Sequence, residues 1–323
     1  MKLLLENWRG YVNEQDEQSM QSLLDTEYTQ FVKWLGTNTN DPKTQALISA
    51  GLKDGNPDDD KFSFQDVALP VTKLIPTQNE VDIDKSLAYP LIKKPGQFVE
   101  QVSGNGPFKL GAPIVTYNGR YVIDGHHRWS TLYSLNKNAQ IVATNITIEG
   151  LEPLDVLKAV QMAIGLDTGG VPMQNVEGTN LLKLSKADLS GWIKKNVKGN
   201  LYAAIAADPE VKQLLVRPQA EEEGAITEFN QMETAMLRAG LLNYLWSNVE
   251  SMRQTSQPVP GAGPRDFMPQ TDDANWKEPL EKGQIDIKPP HGQRGEETPL
   301  KKVAESRIRR VIRRPRRKTL NKK

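Results

Sequence analysis

Residues 114–129 read IVTYNGRYVIDGHHRW and decide the fold of this chain. Two runs of β-branched and aromatic residues are separated by an Asn-Gly pair, which accepts the positive φ angles of a tight hairpin turn. From Trp129 the apolar spacing changes to that of a helix, with Leu132 on the same stripe. The sequence therefore predicts two antiparallel strands, a short turn and a helix that packs on the sheet.

The turn between the second strand and the helix carries the chemistry. Gly125 leaves the first amides of the helix open to an anion such as a nucleotide phosphate. A cation in the first helical turn is opposed by the helix dipole, so Arg128, and His126 or His127 when protonated, would be stabilised by a bound anion. Asp124 either caps the amides or orients an imidazole or a metal ion. We therefore expect a phosphate site here.

The hairpin and its turn resemble the phosphate-binding motif of the ParB/sulfiredoxin superfamily. Residues 67–78, with their Leu-Ile-Pro triplet, are similar to the opening strand of that family. The resemblance covers residues 60–150 and implies an α+β fold in which helical segments flank a small mixed sheet. It implies that the phosphates of ATP, ADP or CTP, with or without Mg²⁺, are bound by four residues: Gly125, His126, His127 and Arg128.

Members of this superfamily differ in chemistry, and the sequence discriminates among them. Sulfiredoxins use a cysteine in the turn, whereas this chain has His126 there and no cysteine, which excludes sulfinic acid reduction. Partition-type ParB proteins carry a Glu-Arg-Arg turn in place of His-His-Arg. The ParB-like serine kinases use a carboxylate after the first strand as general base, and Glu80 occupies a similar place.

Two classes of function follow from this resemblance. The first is an enzyme, a phosphotransferase, NTPase or ParB-like nuclease, whose catalytic residues would be Glu80, Asp124, His126 and His127. The second is a protein that senses a nucleotide without catalysis and engages DNA or a protein assembly. Because the third histidine, His291, is remote in sequence, a zinc site is not expected, and no resident metal is predicted.

Composition limits the setting of the protein. The 323 residues contain no cysteine, which excludes disulfides and thiolate metal sites and fits a reducing compartment. No stretch approaches the roughly 20 apolar residues of a membrane span. Residues 1–8 are similar to the start of many tailed-phage proteins, so we expect a cytoplasmic location, in the host cell if the protein is viral.

The formal net charge of +1 conceals a strong asymmetry. Residues Lys301–Lys323 contain 12 Lys and Arg against the single acid Glu305, so the rest of the chain is acidic. Such a run attracts polyanions, and nucleic acid is the expected partner. A solvated tail, or a tail that contacts the acidic body, is the alternative. The apolar spacing within residues 300–314 also fits a basic amphipathic helix on a partner or a lipid surface.

The organisation along the chain is predicted in four parts. Composition and apolar periodicity separate a helical segment, the ParB-like domain, a second helical region and a tail. Residues 55–60 (Gly-Asn-Pro-Asp-Asp-Asp) are expected to be a linker or loop. Because residues 256–299 are rich in proline, glycine and charge, we expect the last part to be disordered. The four parts are residues 1–58, 59–150, 151–253 and 254–323.

Overall fold

The computed structural model describes residues 20–56, 58–171, 178–223, 231–272 and 274–288. The strands in these ranges are β1 Ser63–Pro70, β2 Ile75–Pro76, β3 Ile114–Tyr117, β4 Tyr121–Asp124 and β5 Gln140–Thr147. They form one five-stranded mixed sheet with the order β1-β5-β3-β4-β2. β1 pairs antiparallel with β5, β5 parallel with β3, β3 antiparallel with β4, and β4 parallel with β2.

Helices surround this sheet, and the predicted α+β class is confirmed. They include a five-residue π-helical stretch, Tyr89–Lys93. The α-helices of the described residues are α1 Met20–Leu24, α2 Tyr28–Asn38, α3 Pro42–Ile48, α4 Ile83–Ala88, α5 Pro95–Ser103, α6 His126–Leu135, α7 Pro153–Thr168, α8 Lys186–Asn196, α9 Gly199–Ala207, α10 Pro209–Glu223, α11 Gln231–Thr255 and α12 Lys277–Glu281. None of these helices combines the length and apolar character that a membrane crossing needs.

The predicted hairpin is confirmed. Asn118 and Gly119 have φ angles of 51° and 61°, so both central residues of the turn are left-handed, as a two-residue hairpin loop requires. β4 then runs directly into α6, whose buried Trp129 donates its indole N–H to the carbonyl oxygen of Val71 at 3.0 Å. Strand, turn and helix therefore meet where the sequence predicted.

Two helical layers cover the faces of the sheet. Side chains alternate along each strand, so Ile114 and Val122 point to one layer, and Val115 and Ile123 point to the other. The first layer contains α4, α5, α6 and α8 to α11. The second contains α1 to α3, α7 and α12. Both layers draw on residues from more than one of the four predicted parts, because each hydrophobic cluster joins helices from distant parts of the chain.

The prediction of disorder is wrong for residues 254–272 and 274–288. The chain after α11 follows the edge of β2, where the amide of Val259 donates to the carbonyl oxygen of Pro76 at 3.1 Å. Trp276 and Leu280 are then buried in the second layer, at 3% and 0% exposure. A few large apolar side chains, all of them buried, hold this segment against the second layer although its overall composition is typical of disorder. The basic tail, Lys301–Lys323, lies outside the described residues.

Candidate functional site

A cleft lies between the turn that joins β4 to α6 and the segment that follows α11. Its volume is about 450 Å³, within the range of small-molecule sites. The first turn of α6 forms one wall, and residues 265–272 form the opposite wall. The lining residues are Gln78, Lys85, Leu110, Gly111, Ala112, Asp124, Gly125, His126, His127, Arg128, Arg265, Met268, Pro269, Gln270, Thr271 and Asp272.

Gly125 makes the turn possible. Its φ angle is 87°, and a Cβ at this position would lie 2.6 Å from Cγ2 of Ile114. Gly125, not Asp124, is the N-cap residue of α6, and no side chain caps this end. Among the described residues, no acceptor is found for the amides of His126, His127 and Arg128. The helix therefore opens onto the cleft with unpaired donors.

The two histidines line the cleft, but each ring already accepts a main-chain hydrogen bond. His126 is only 2% exposed, and its Nε2 accepts the amide N–H of Thr77 at 3.2 Å. Nε2 of His127 accepts the amide N–H of Asp82, also at 3.2 Å. Both imidazoles thus fasten the loop after β2 to the start of α6. Their edges border the cleft, but each Nε2 is occupied by a main-chain donor.

Burial keeps both imidazoles neutral. It lowers the pKa of His126 to about 3, helped by the adjacent charge of His127. Burial also lowers the pKa of His127 to about 3, together with the charges of Arg265, Lys85 and Arg128. Neutral rings that already accept hydrogen bonds are poor proton donors, so the geometry does not support a protonated histidine beside an anion or an acid-base role for either ring.

Asp124 and Arg128 form the floor of the cleft. Asp124 accepts the amide of Gly125 at 2.6 Å through Oδ1 and the hydroxyl of Thr271 at 2.5 Å through Oδ2. Its carboxylate is 3.6 Å from the Arg128 guanidinium, which also donates to the carbonyl oxygen of Ala112 at 2.9 Å. Burial raises the pKa of Asp124, while the Thr271 hydrogen bond and Arg128 oppose the rise. Asp124 therefore orients neither imidazole; it ties the turn to the opposite wall.

Arg265 also lines the cleft, although no sequence pattern singles it out. It lies in a short 3₁₀ helix, Arg265–Phe267, within the segment predicted to be disordered. The side chain is 6% exposed, and its Nη1 is 3.3 Å from the carboxylate of Asp82. Its Nη2 is buried and has no hydrogen-bond partner within the described residues. A buried guanidinium nitrogen without an acceptor is costly, and an anion in the cleft would supply one.

Lys85 adds a further cation to the lining. It lies on α4, one turn after Asp82, which caps that helix by accepting the Lys85 amide at 2.9 Å. Burial and the neighbouring charge of Arg265 lower the pKa of Lys85. The sequence contains only a weak indication that Lys85 belongs to the site: Lys85 closely follows the Leu-Ile-Pro triplet and the loop after it. The cleft therefore gathers cations from α4, α6 and the segment after α11.

The structure does not bring Glu80 to the cleft. Its side chain is exposed and is not among the lining residues. Its carbonyl oxygen accepts a hydrogen bond from the side-chain amide of Gln78. The role of Glu80 as a general base stays a prediction, and of the residues predicted to be catalytic it is Asp124 that places a carboxylate in the cleft.

A second cavity of about 480 Å³ adjoins the cleft. The two cavities share Lys85, His127 and Arg128 in their walls. Tyr89 and Phe108 line the second cavity, and Tyr89 is 49% exposed. Together the two spaces offer a cationic end and an aromatic end. This arrangement can hold an anionic group beside a flat apolar group.

The chain matches no family model, no curated protein and no solved structure. The resemblance to the ParB/sulfiredoxin superfamily thus stays an expectation from the sequence. The fold and the site define an α+β protein with a mixed sheet and a cleft at a strand-to-helix turn that is lined by three cationic side chains.

Proposed function

We propose that the protein binds a nucleotide and that the phosphates lie in the cleft at the start of α6. The observation that carries this proposal is Arg265, a residue that lines the same cleft as the unpaired amides of α6 and whose buried Nη2 has no hydrogen-bond partner in the described residues. Amide donors, a helix dipole and a guanidinium are the groups that bind phosphate in proteins. ATP, ADP and CTP are the ligands that the resemblance implies.

The adjoining cavity supports a nucleotide over inorganic phosphate. Tyr89 and Phe108 offer aromatic faces on which a base can stack, and stacking of this kind contributes roughly 1–3 kcal/mol. Arg128 borders both cavities, so its guanidinium is available to a phosphate that joins the two ends of the ligand. Mg²⁺ is compatible with Asp124, whose carboxylate lines the cleft.

The geometry favours binding over acid-base catalysis by the histidines. Both rings are neutral and accept main-chain amides, so their contribution is to position the loop that carries Asp82. Any phosphoryl transfer or hydrolysis would depend on charge neutralisation by the cations and on Asp124. The nucleotide-sensing alternative needs no further residue. Nucleic acid as the partner of Lys301–Lys323 stays a prediction from the sequence.

A thermal-shift screen with ATP, ADP, CTP and GTP tests the proposal. A ligand that binds the native state raises its melting temperature by mass action. We expect a rise with at least one nucleotide and a roughly tenfold loss of affinity, about 1.4 kcal/mol, in Arg265→Lys. Lysine keeps the charge next to Asp82 but cannot supply the second guanidinium nitrogen. Arg120→Lys, an exposed site on the hairpin turn, is the matched control.

Two results would contradict the proposal. The first is the absence of a shift with every nucleotide at millimolar concentration, and the second is equal affinity in wild type and Arg265→Lys. Nucleotide and DNA turnover, measured with and without Mg²⁺, then separates an enzyme from a sensor. Binding without turnover would support the sensor, whereas turnover lost in Asp124→Asn would support the enzyme.

A further inference from the structure

A cluster of carboxylates lies away from the cleft, where the loop after α3 meets the last described residues of the chain. One oxygen from each of Asp54, Asp60 and Asp286 lies within 4.8 Å of the others. Two oxygens that bind one Ca²⁺ at about 2.4 Å can be at most about 4.8 Å apart. The spacing of the cluster therefore suits a single shared ion.

The absence of hydrogen-bond donors to several of these oxygens, within the described residues, is the second observation. Asp60 is 0% exposed, and its Oδ1 accepts the amides of Ile287 and Lys288 at 3.0 and 2.8 Å. Its Oδ2 has no partner, and neither has Oδ2 of Asp54 or Oδ1 of Asp286 within the described residues. Buried carboxylate oxygens without donors are strongly disfavoured unless a cation supplies the missing interaction.

Main-chain oxygens border the same space. A Cβ on Gly51 would lie 2.5 Å from the carbonyl oxygen of Gly283, 2.8 Å from Oδ2 of Asp60 and 3.0 Å from the carbonyl oxygen of Ile285. Only glycine fits against this wall of oxygen atoms. Carboxylate and carbonyl oxygens together are the ligand set that Ca²⁺ takes in proteins.

The neighbouring charges leave the cluster without compensation. No ion pair to Asp54, Asp60 or Asp286 is found in the described part of the chain, and Lys61 pairs instead with the exposed Asp58. Burial and the charges of Asp286 and Asp59 raise the pKa of Asp60 to about 7, although two main-chain amides oppose the rise. The sequence predicted a linker or loop here and no resident metal.

We propose that Asp54, Asp60 and Asp286 form a Ca²⁺ site that fastens residues 283–288 to the loop after α3. Besides the bonds of Asp60 to Ile287 and Lys288, two main-chain links join these regions: the amide of Asp286 donates to the carbonyl oxygen of Ile48 at 3.1 Å, and that of Gly51 donates to the carbonyl oxygen of Gln284 at 3.3 Å. The cation supplies the positive charge that balances the carboxylates, which these hydrogen bonds do not. It also anchors the far end of the segment that begins at Arg265, so it supports the wall of the cleft from a distance.

Calcium titration of the full chain, stripped with a chelator, tests this site. We expect one Ca²⁺ per chain by calorimetry and a melting temperature several degrees above that of the stripped protein. Asp60→Asn and Asp286→Asn should each abolish both effects. Asp58→Asn is the matched control, because Asp58 is exposed in the same loop, and it should keep both effects.

A measurement on the wild type keeps the proposal falsifiable if those variants do not fold. Ca²⁺ should slow tryptic cleavage after the exposed Lys282, next to the site, and leave cleavage after the exposed Lys198 unchanged. No heat of binding and no protection at millimolar Ca²⁺ would overturn the proposal. Binding that persists in both folded variants would place the ion elsewhere, and a larger effect of Mg²⁺ would overturn the choice of Ca²⁺.

Discussion

The cleft at the start of α6 and the acidic cluster are opposites in charge and alike in construction. The cleft gathers Lys85, Arg128 and Arg265 around unpaired amides, whereas the cluster gathers carboxylates and carbonyl oxygens. In each, buried polar atoms lack partners within the described residues. Each is also completed by the segment between Arg265 and Lys288. The comparison shows that one late stretch of chain contributes to two groups of buried polar side chains of opposite charge.

The largest expected effect comes from removing the buried cation of the cleft. Arg265→Met leaves the carboxylate of Asp82, which is 7% exposed, without its partner. We expect a loss of about 3–5 kcal/mol in the free energy of unfolding, measured with urea. Adding Asp82→Asn should restore part of it, because the amide can still cap α4. A loss below about 1 kcal/mol would show that the pair is not effectively buried.

Gly125→Ala disturbs the cleft through the backbone. A left-handed φ and a Cβ 2.6 Å from Ile114 predict a loss of about 2–4 kcal/mol in the free energy of unfolding. Nucleotide binding should weaken, while Ca²⁺ binding should persist. Gly96→Ala is the matched control, since a Cβ there meets nothing within 4 Å. Equal effects of the two substitutions would contradict the strained turn.

The pH dependence of stability reports on His126. Its pKa is about 3 in the folded protein against 6.5 as the ordinary value, so the unfolded state binds a proton that the folded state excludes. This contribution to stability is present above pH 6.5 and is lost as the pH falls toward 3. Between pH 7 and pH 5 the loss is about 2 kcal/mol. Urea unfolding of wild type and His126→Gln at both pH values should show this difference in slope.

Acids in the cluster shift stability in the opposite direction over part of this range. Burial raises the pKa of Asp60 and of Asp286, so their contribution is lost as the pH rises. The comparison with His126→Gln removes this background, because both proteins keep the cluster. Parallel pH profiles for wild type and variant would show that His126 is protonated equally in both states.

The smallest effect on stability is expected from losing the hydrogen bond that joins the two walls of the cleft. Thr271→Val removes the hydroxyl that donates to Asp124 at 2.5 Å, which should lower the free energy of unfolding by about 1–2 kcal/mol. Thr271→Ser keeps the hydroxyl and should cost less. Hydrogen exchange of residues 265–272 should become faster in the valine variant. Unchanged exchange would mean that this contact does not hold the wall closed.

The local features of the fold could be predicted because nearby residues determine them. The hairpin with its left-handed turn and the helix from His126 follow from backbone preferences within about 20 residues of sequence. The position of Gly125 in the turn and of Arg128 beside it were predicted for the same reason. The orientation of the histidines was not, because the amides of Thr77 and Asp82 that they accept come from another part of the chain.

The segment after α11 shows why composition alone was misleading. Its proline and glycine content is typical of disorder, yet Trp276, Leu280 and Ile285 are buried at 3% exposure or less. Burial depends on whether the rest of the protein offers an apolar surface, and this information is not contained in the segment itself. The composition of this segment therefore gives no reason to place Arg265 or Thr271 in the site.

The sequence by itself determined the strand, the glycine turn and the helix with open amides, since these depend on short-range sterics and hydrogen bonding. Only the tertiary structure decided which charges face that turn and that three aspartates share one space. Asp124 and Thr271 are 147 positions apart, and Asp60 and Ile287 are 227 apart. Contacts over such distances arise from the packing of both layers on one sheet, which no local pattern encodes.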